Sequence, residues 1–267
     1  MNKLNYRDRL LLLAGPCQLE SYDHAFKIAE RLKNITSKLP IDLVFKSSFD
    51  KANRTSINSK RGLGLDEGLE VFSKIKQELE INTITDIHLP DQAATVAEVV
   101  DYLQIPAFLS RQTDLLIAAG KTNKPINIKK GQFMHANDME HSAKKVESAG
   151  SSEVFLCERG NTFGYREIVV DMKNLIIMKQ LGYQVIFDST HSVQIMSGKG
   201  GSSGGMREFV FPLLRAAIST GVDGIFIECH DDPDNAPSDG PNMLQIENME
   251  KVLTTACRLH ETFLELQ

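Results

Sequence analysis

The sequence predicts a single α/β domain over residues 1–267, folded as a (β/α)8 (TIM) barrel. Three observations carry that reading. Eight short apolar runs recur along the chain, and stretches with helical spacing lie between them. The 267 residues match the roughly 250 typical of this barrel. No linker, low-complexity segment or composition shift divides the chain.

The elements follow in order. LLLLA (10–14) is a continuous apolar run of the kind buried on both faces, broken by Gly15 and Pro16. YDHAFKIAERLKNIT (22–36) then shows helical spacing. IDLVFK (41–46) precedes the helix-like GLDEGLEVFSKIKQEL (64–79). INTITD (81–86) precedes QAATVAEVVDY (92–102), and YLQIPA (102–107) precedes TDLLIAAGKT (113–122). PINIKK (125–130) and EVFLCE (153–158) supply two further strands. MKNLIIMKQLG (172–182) leads to YQVIFD (183–188), and REFVFPLLRAAISTG (207–221) leads to DGIFIE (223–228). A last helix is expected from about Met243 to Leu266. The competing architecture is an open doubly wound sheet. That fold calls for a Gly-rich phosphate loop after an early strand, and AGPC is too short for GxGxxG.

Composition narrows the function. The chain is 42% hydrophobic and 24% charged, with a net charge of -5, so no nucleic-acid footprint is expected. Four scattered cysteines without a CxxC pair are not a disulfide framework and suit a reducing cytoplasm. MNKLNYRDRL lacks the apolar core of a signal peptide, and no run has the length of a membrane helix. The expectation is a cytoplasmic protein without membrane partners.

In a barrel the chemistry sits at the C-terminal strand ends. Here all eight ends are polar. They carry Cys17, Lys46, Asp86 with His88, Gln104 with Arg111, Lys129 with Lys130, Glu158 with Arg159, Asp188 with His191, and Glu228 with His230. One or two such ends would be ordinary caps, whereas eight point to a shared site. Lys46, Lys51, Arg54, Arg111, Lys129 and Arg159 would gather cations at one mouth of an acidic protein. That implies an anionic substrate bearing phosphate and carboxylate.

A second theme is metal. Cys17, His191, Glu228 and a nearby carboxylate form a candidate thiolate, imidazole and carboxylate set, and strands 1, 7 and 8 meet where the barrel closes. No local ligand spacing announces it. A lone cysteine is more often a buried filler, and His191 reads equally as a satisfied polar residue. A third feature is SGKGGSSGGMREF (197–209), whose five glycines read as a lid over substrate or as a plain surface loop.

The motifs AGPCQLES, FKSSFDKANRTS, TDIHLPDQA, LQIPAFLSRQTDLL, INIKKGQF, ERGNTFGY, FDSTHSVQ, SGGMREF and SDGP occur in this order. With them the chain resembles the 3-deoxy-D-manno-octulosonate 8-phosphate synthases over roughly Leu11 to Met243. The resemblance implies a (β/α)8 homotetramer that joins phosphoenolpyruvate to D-arabinose 5-phosphate and releases phosphate, feeding lipopolysaccharide synthesis. Cys17 in AGPC matches the metal-dependent class of that family. The resemblance then implies one divalent ion (Zn²⁺ or Fe²⁺, with Mn²⁺ as a substitute) on Cys17, His191, Glu228 and Asp239. It places phosphoenolpyruvate against Lys46, Lys51, Gln104, Lys129, Arg159 and His191. It places the sugar phosphate against Asn53, Arg54 and Thr55, and against Arg111 of a neighbouring subunit. Asp86 and His88 line the same mouth. Cys229 alternates away from Glu228 and is expected to have no role.

The nearest rival is a 3-deoxy-D-arabino-heptulosonate 7-phosphate synthase, which takes erythrose 4-phosphate and carries KPRTS where this chain has KANRTS. A sialic-acid-type synthase would leave Arg54 and Arg111 with less purpose. A catalytically dead barrel kept as a binding subunit would be expected to have lost strand-end residues, and the main ones are present.

Overall fold

Leu10 to Leu13 show how the barrel is built. Successive strand side chains point to opposite faces, so Leu11 and Leu13 join the cluster filling the barrel, with Val44, Ile84, Phe155 and Phe226. Leu10 and Leu12 point the other way and pack in the layer beneath the helices. Both faces are apolar because both are buried, which is why the run does not alternate with polar residues.

In the computed structural model, which describes residues 8–54, 56–195 and 204–267, eight parallel strands close into a barrel. They are β1 (Leu10–Gly15), β2 (Ile41–Lys46), β3 (Asn82–Asp86), β4 (Tyr102–Ile105), β5 (Ile126–Lys129), β6 (Val154–Glu158), β7 (Gln184–Asp188) and β8 (Gly224–His230). Each pairs with its neighbour in sequence, and β8 returns to β1 with Gly15 opposite Glu228. Among the described residues, eight α-helices wrap the outside: α1 (Tyr22–Thr36), α2 (Leu65–Leu79), α3 (Gln92–Val99), α4 (Thr113–Gly120), α5 (Met139–Ser148), α6 (Lys173–Gln180), α7 (Val210–Ile218) and α8 (Met249–Glu265). The predicted architecture is therefore observed.

Several helix limits differ from the periodicity. The 92–102 pattern stops at Val99, because the chain turns into β4 and the Asp101 carboxylate accepts the Thr83 N–H at 2.9 Å. The last helix starts at Met249 rather than Met243, because Leu244 and Gln245 pair with Cys229 and His230. A 3-10 turn at Arg207–Phe209 precedes α7, whose Pro212 lies in the first turn, where no intrahelical donor is lost. α5 was not singled out by spacing. It is a ten-residue helix that buries only Met139, Ser142, Ala143 and Val146, a stripe too narrow to stand out. Most of the glycine-rich 197–205 segment lies outside the described residues. Gly204 and Gly205 form a two-residue antiparallel pairing with Gln194 and Ile195. Among the described residues, no helix is long and apolar enough to cross a membrane.

Gly15 fixes the spacing of the first two strands. A Cβ there would sit 2.1 Å from the Lys46 carbonyl oxygen. Gly15→Ala is expected to push β1 from β2 and cost about 1–3 kcal/mol. Equilibrium urea unfolding would show this as a lower midpoint at unchanged slope. An unchanged midpoint would mean that the strands separate without strain.

Candidate active site

The side chains that point inward at the C-terminal ends of the strands follow from alternation. Two positions beyond the barrel-filling Val44, Ile84 and Tyr102 come Lys46, Asp86 and Gln104. The same step leads from Cys157 to Arg159, from Ile186 to Asp188 and from Phe226 to Glu228. Cys229 points outward into the layer under the helices, as expected from its place beside Glu228. Of the two lysines that end β5, only Lys129 enters the mouth. Lys130 is buried away from it, bonding the Gly160 carbonyl at 3.2 Å and Asn161 Oδ1 at 2.9 Å, and so ties the loops after β5 and β6 together.

The closure of β8 on β1 brings Cys17 to Glu228. Cys17 Sγ donates to Asp239 Oδ2 at 3.3 Å and to Ser238 Oγ at 3.1 Å. One donor atom each from Cys17, Glu228 and Asp239 lie within 4.8 Å of one another. His191 completes the group, with Nε2 3.6 Å from Glu228 Oε2 and 4.0 Å from Asp239 Oδ2. Its Nδ1 lies 2.8 Å from Asp188 Oδ2, which fixes the ring with Nε2 toward the cluster. Asp239 holds φ at +50°, an uncommon conformation for a non-glycine residue. Its Oδ1 accepts from Gln194 Nε2 at 3.0 Å.

This donor set fits a divalent ion. Glu228 is wholly buried, and its Oε2 has no hydrogen-bond partner. Burial, then the Glu228 charge, pushes the Cys17 thiol far above its usual range. Without a cation the thiol stays protonated, and ligation is what would make it a thiolate. Sulfur with imidazole and carboxylates suits Zn²⁺ or Fe²⁺ better than an all-oxygen cation.

The cations sit beside this group. Lys46 Nζ donates to Glu228 Oε1 at 2.9 Å, and also contacts the Cys17 carbonyl and Ser48 Oγ, each at 3.3 Å. Burial alone would raise the Glu228 pKa, but Lys46, His191 and Lys51 bring it down to about 2. Burial likewise disfavours the charge on Lys51, yet the negative groups around it, Glu228, Asp86 and Asp239 among them, drive its pKa above the usual lysine value. Lys129 Nζ pairs with Asp188 and lies 3.1 Å from the Phe226 ring centroid. Burial lowers the pKa of Arg159. Its second terminal nitrogen bonds Gln194 Oε1 at 2.9 Å, while its first is buried without a partner. Gln104 Oε1 accepts from Asn127 at 3.0 Å. Together these groups form a dry cationic floor with a donor left for an incoming anion.

Asp86 and His88 lie 3.1 Å apart at the end of β3. Burial opposes the Asp86 charge, but the hydrogen bond from His88 and the charges of His88, Lys51 and Lys46 hold its pKa far below the ordinary range. Arg54 leans across to the Asp239 loop, with 2.7 Å to Ser238 Oγ, 2.6 Å to Gln18 Oε1 and 3.1 Å to the Pro237 carbonyl. Asn53 is exposed beside it, and Thr55 lies outside the described residues. Arg111 is exposed and lines a different cavity of about 300 Å³ with Phe133, Met134, Asp138, His141, Ser142 and Lys145. Within one chain it does not join the cationic floor.

Several residues that act here escaped the sequence reading as site residues. Asp188 closes β7 and was visible there, but its service to both Lys129 and His191 was not. Gln194, Ser238 and Gln18 carry no signal in sequence, and Phe226 reads simply as strand core.

The depressed Glu228 pKa sets an acid limit. Because the folded value is about 2 against an ordinary 4.5, its stabilisation is complete above pH 4.5 and is lost as the pH falls toward 2. Lys46→Met removes the largest opposing charge, so Glu228 rises and stability starts to fall at higher pH. The expected loss near neutrality is about 3–5 kcal/mol. Circular dichroism during acid titration would show the unfolding midpoint move up, and a midpoint equal to or below that of the unsubstituted protein would contradict the pairing.

A sequence model of the DAHP synthetase I family matches residues 5–265. The chain is 58% identical over 246 residues to the 2-dehydro-3-deoxyphosphooctonate aldolase of Agrobacterium fabrum, covering 92% of this chain and 87% of that one. It is 57% identical to the enzyme of the same name from Rhizobium meliloti, covering 92% and 88%. The corresponding enzyme of Brucella ovis is 58% identical, covering 91% and 88%.

Proposed function

The chain belongs to the DAHP synthetase I family, and we infer that it condenses phosphoenolpyruvate with D-arabinose 5-phosphate and water. The products are 3-deoxy-D-manno-octulosonate 8-phosphate and inorganic phosphate, so the chain is an enzyme of the transferase type. The observation that carries this reading is the cationic floor of Lys46, Lys51, Lys129 and Arg159 beside the Cys17 cluster, on a chain 58% identical to a 2-dehydro-3-deoxyphosphooctonate aldolase. The product feeds lipopolysaccharide synthesis. The seven-carbon alternative, with erythrose 4-phosphate, is not favoured, since this chain has KANRTS in place of KPRTS.

In this reading Lys46, Lys51, Lys129, Arg159 and Gln104 hold the carboxylate and phosphate of phosphoenolpyruvate. The unpartnered Arg159 nitrogen supplies a donor already desolvated, so little reorganisation accompanies binding. Asn53, Arg54 and Thr55 hold the sugar phosphate, with Arg111 from a neighbouring subunit of a homotetramer. Arg54 would exchange its bonds to Ser238 and Gln18 for that phosphate. Held in this way, C3 of phosphoenolpyruvate attacks the aldehyde carbon, and water adds at C2. The resulting phosphohemiketal loses phosphate by C–O cleavage. His191 is held by Asp188 with Nε2 toward the reacting groups. Cys17, His191, Glu228 and Asp239 would hold one divalent ion, which supplies Lewis-acid polarisation of the aldehyde or of the attacking water. The four free cysteines, all buried, accord with work in a reducing cytoplasm.

Phosphate release by chelator-treated protein, with arabinose 5-phosphate and with erythrose 4-phosphate, tests the whole reading. Turnover is expected only with the five-carbon sugar and only after a divalent ion is restored. Turnover with erythrose 4-phosphate alone would transfer the chain to the rival activity. Cys17→Ser is expected to lose bound metal and most activity, and full activity without metal would overturn the ligand set. Arg159→Leu should lower kcat/KM for phosphoenolpyruvate by about 10²–10³, and an unchanged value would remove Arg159 from the anion site.

A further inference from the structure

A second group of metal-ligating side chains lies at the seam where β8 closes on β1, built from residues the reaction does not use. Glu20 follows Cys17 in the loop after β1, His24 sits in the first turn of α1, and His230 ends β8. One donor atom from each lies within 4.8 Å of the other two. His230 Nε2 is 2.8 Å from Glu20 Oε1, and His24 Nδ1 is 4.0 Å from the same oxygen. Ligand atoms around a tetrahedral zinc at about 2.1 Å stand about 3.4 Å apart, so small side-chain rotations suffice.

Two features distinguish the group from an ordinary surface hydrogen-bond network. His24 Nδ1 is a buried atom with no hydrogen-bond partner. In addition, one carboxylate backs both rings. Asp231 Oδ1 lies 3.1 Å from His24 Nε2 and 3.3 Å from His230 Nδ1, while Lys27 holds Oδ2 at 2.7 Å. A carboxylate behind each imidazole is the arrangement that orients metal-binding histidines and fixes their tautomers. The Asp232 N–H also reaches His230 Nδ1, at 2.8 Å. In the metal-free state this nitrogen accepts that bond and Nε2–H donates to Glu20. On ligation the ring changes tautomer: Nε2 gives up its proton, Nδ1 takes one up, and Nδ1–H donates to Asp231 in place of accepting from Asp232.

We propose that Glu20, His24 and His230 form a second divalent metal site, selective for zinc-like ions, that clasps the β1–α1 loop to the end of β8. Two imidazoles and one carboxylate suit Zn²⁺, Co²⁺ or Ni²⁺ and not Mg²⁺ or Ca²⁺, which take oxygen ligands. The site leaves at least one coordination position to water, since Glu20 is partly exposed. It joins the two segments that carry Cys17 and Glu228, so occupancy steadies the seam without touching the reacting groups.

The test is cobalt and zinc titration of tag-free, chelator-treated full-length protein, read by equilibrium dialysis, absorption and thermal unfolding. The unsubstituted chain is expected to bind about two cobalt ions, one with thiolate-to-cobalt charge-transfer absorption and one without. Cys17→Ser should abolish the charge-transfer band and keep the other ion. His24→Asn and Glu20→Gln should each lose that other ion while keeping the band. Zinc should raise the unfolding temperature of Cys17→Ser by several degrees and leave that of Cys17→Ser with His24→Asn unmoved. The proposal is overturned if Cys17→Ser binds no cobalt, or if the added His24→Asn and Glu20→Gln changes leave its cobalt binding unaltered. Failure of the Cys17 cluster to bind would show separately, as a missing charge-transfer band with the His24-dependent ion still present.

Discussion

The pairing of β8 with β1 is the constraint on which the site depends. It sets Gly15 opposite Glu228, and the Lys46 carbonyl approaches so closely that only a glycine fits at that position. Cys17 and Glu228, far apart in the chain, thereby become neighbours at one end of a closed sheet. A shift of one residue in this register would turn Glu228 outward and Cys229 inward, because side chains alternate along a strand. The closure thus selects which residue of FIECH faces the mouth.

Charge balance follows from that geometry. The barrel interior is dry, so each ionised group at its C-terminal end needs a partner. Lys46 answers Glu228, Lys129 answers Asp188, and His88 answers Asp86. These pairs hold the three carboxylates ionised against burial. Among the buried atoms left without a hydrogen-bond partner are Glu228 Oε2 and the first terminal nitrogen of Arg159. One calls for a cation and the other for an anion. The same mouth is thereby prepared for a metal ion and for a phosphate or carboxylate.

Rigidity and adaptability are divided between the strands and the loops. Lys46, Lys129 and Glu228 sit on strands and are buried. Arg54 and Asn53 sit on a loop, where Arg54 is anchored to the Asp239 segment through Ser238. The contact couples the Asn53–Arg54 loop to the loop that carries Asp239, so a movement of Arg54 also bears on Ser238 and the Cys17 hydrogen bond it accepts. Arg111 is exposed and lines a separate cavity with Phe133, Met134 and Lys145.

Much of this was legible in the sequence. The eight apolar runs, their spacing and the polar residue closing each one follow from short-range physics: strand burial, alternation and the breaking effect of Gly and Pro. Lys46, Lys129, Glu228 and Cys17 could be named as strand-end residues on that basis, and Cys229 set aside. Tertiary structure alone decided which of those residues meet. The stacking of Lys129 on Phe226, the pairing of Asp188 with Lys129, and the meeting of Glu20 and His24 with His230 each join segments distant in the chain. Such contacts depend on register and closure, which no local pattern encodes. The sequence determined the strands and what each carries at its end; the closed barrel decided which charges face one another, because only closure brings the first strand to the last.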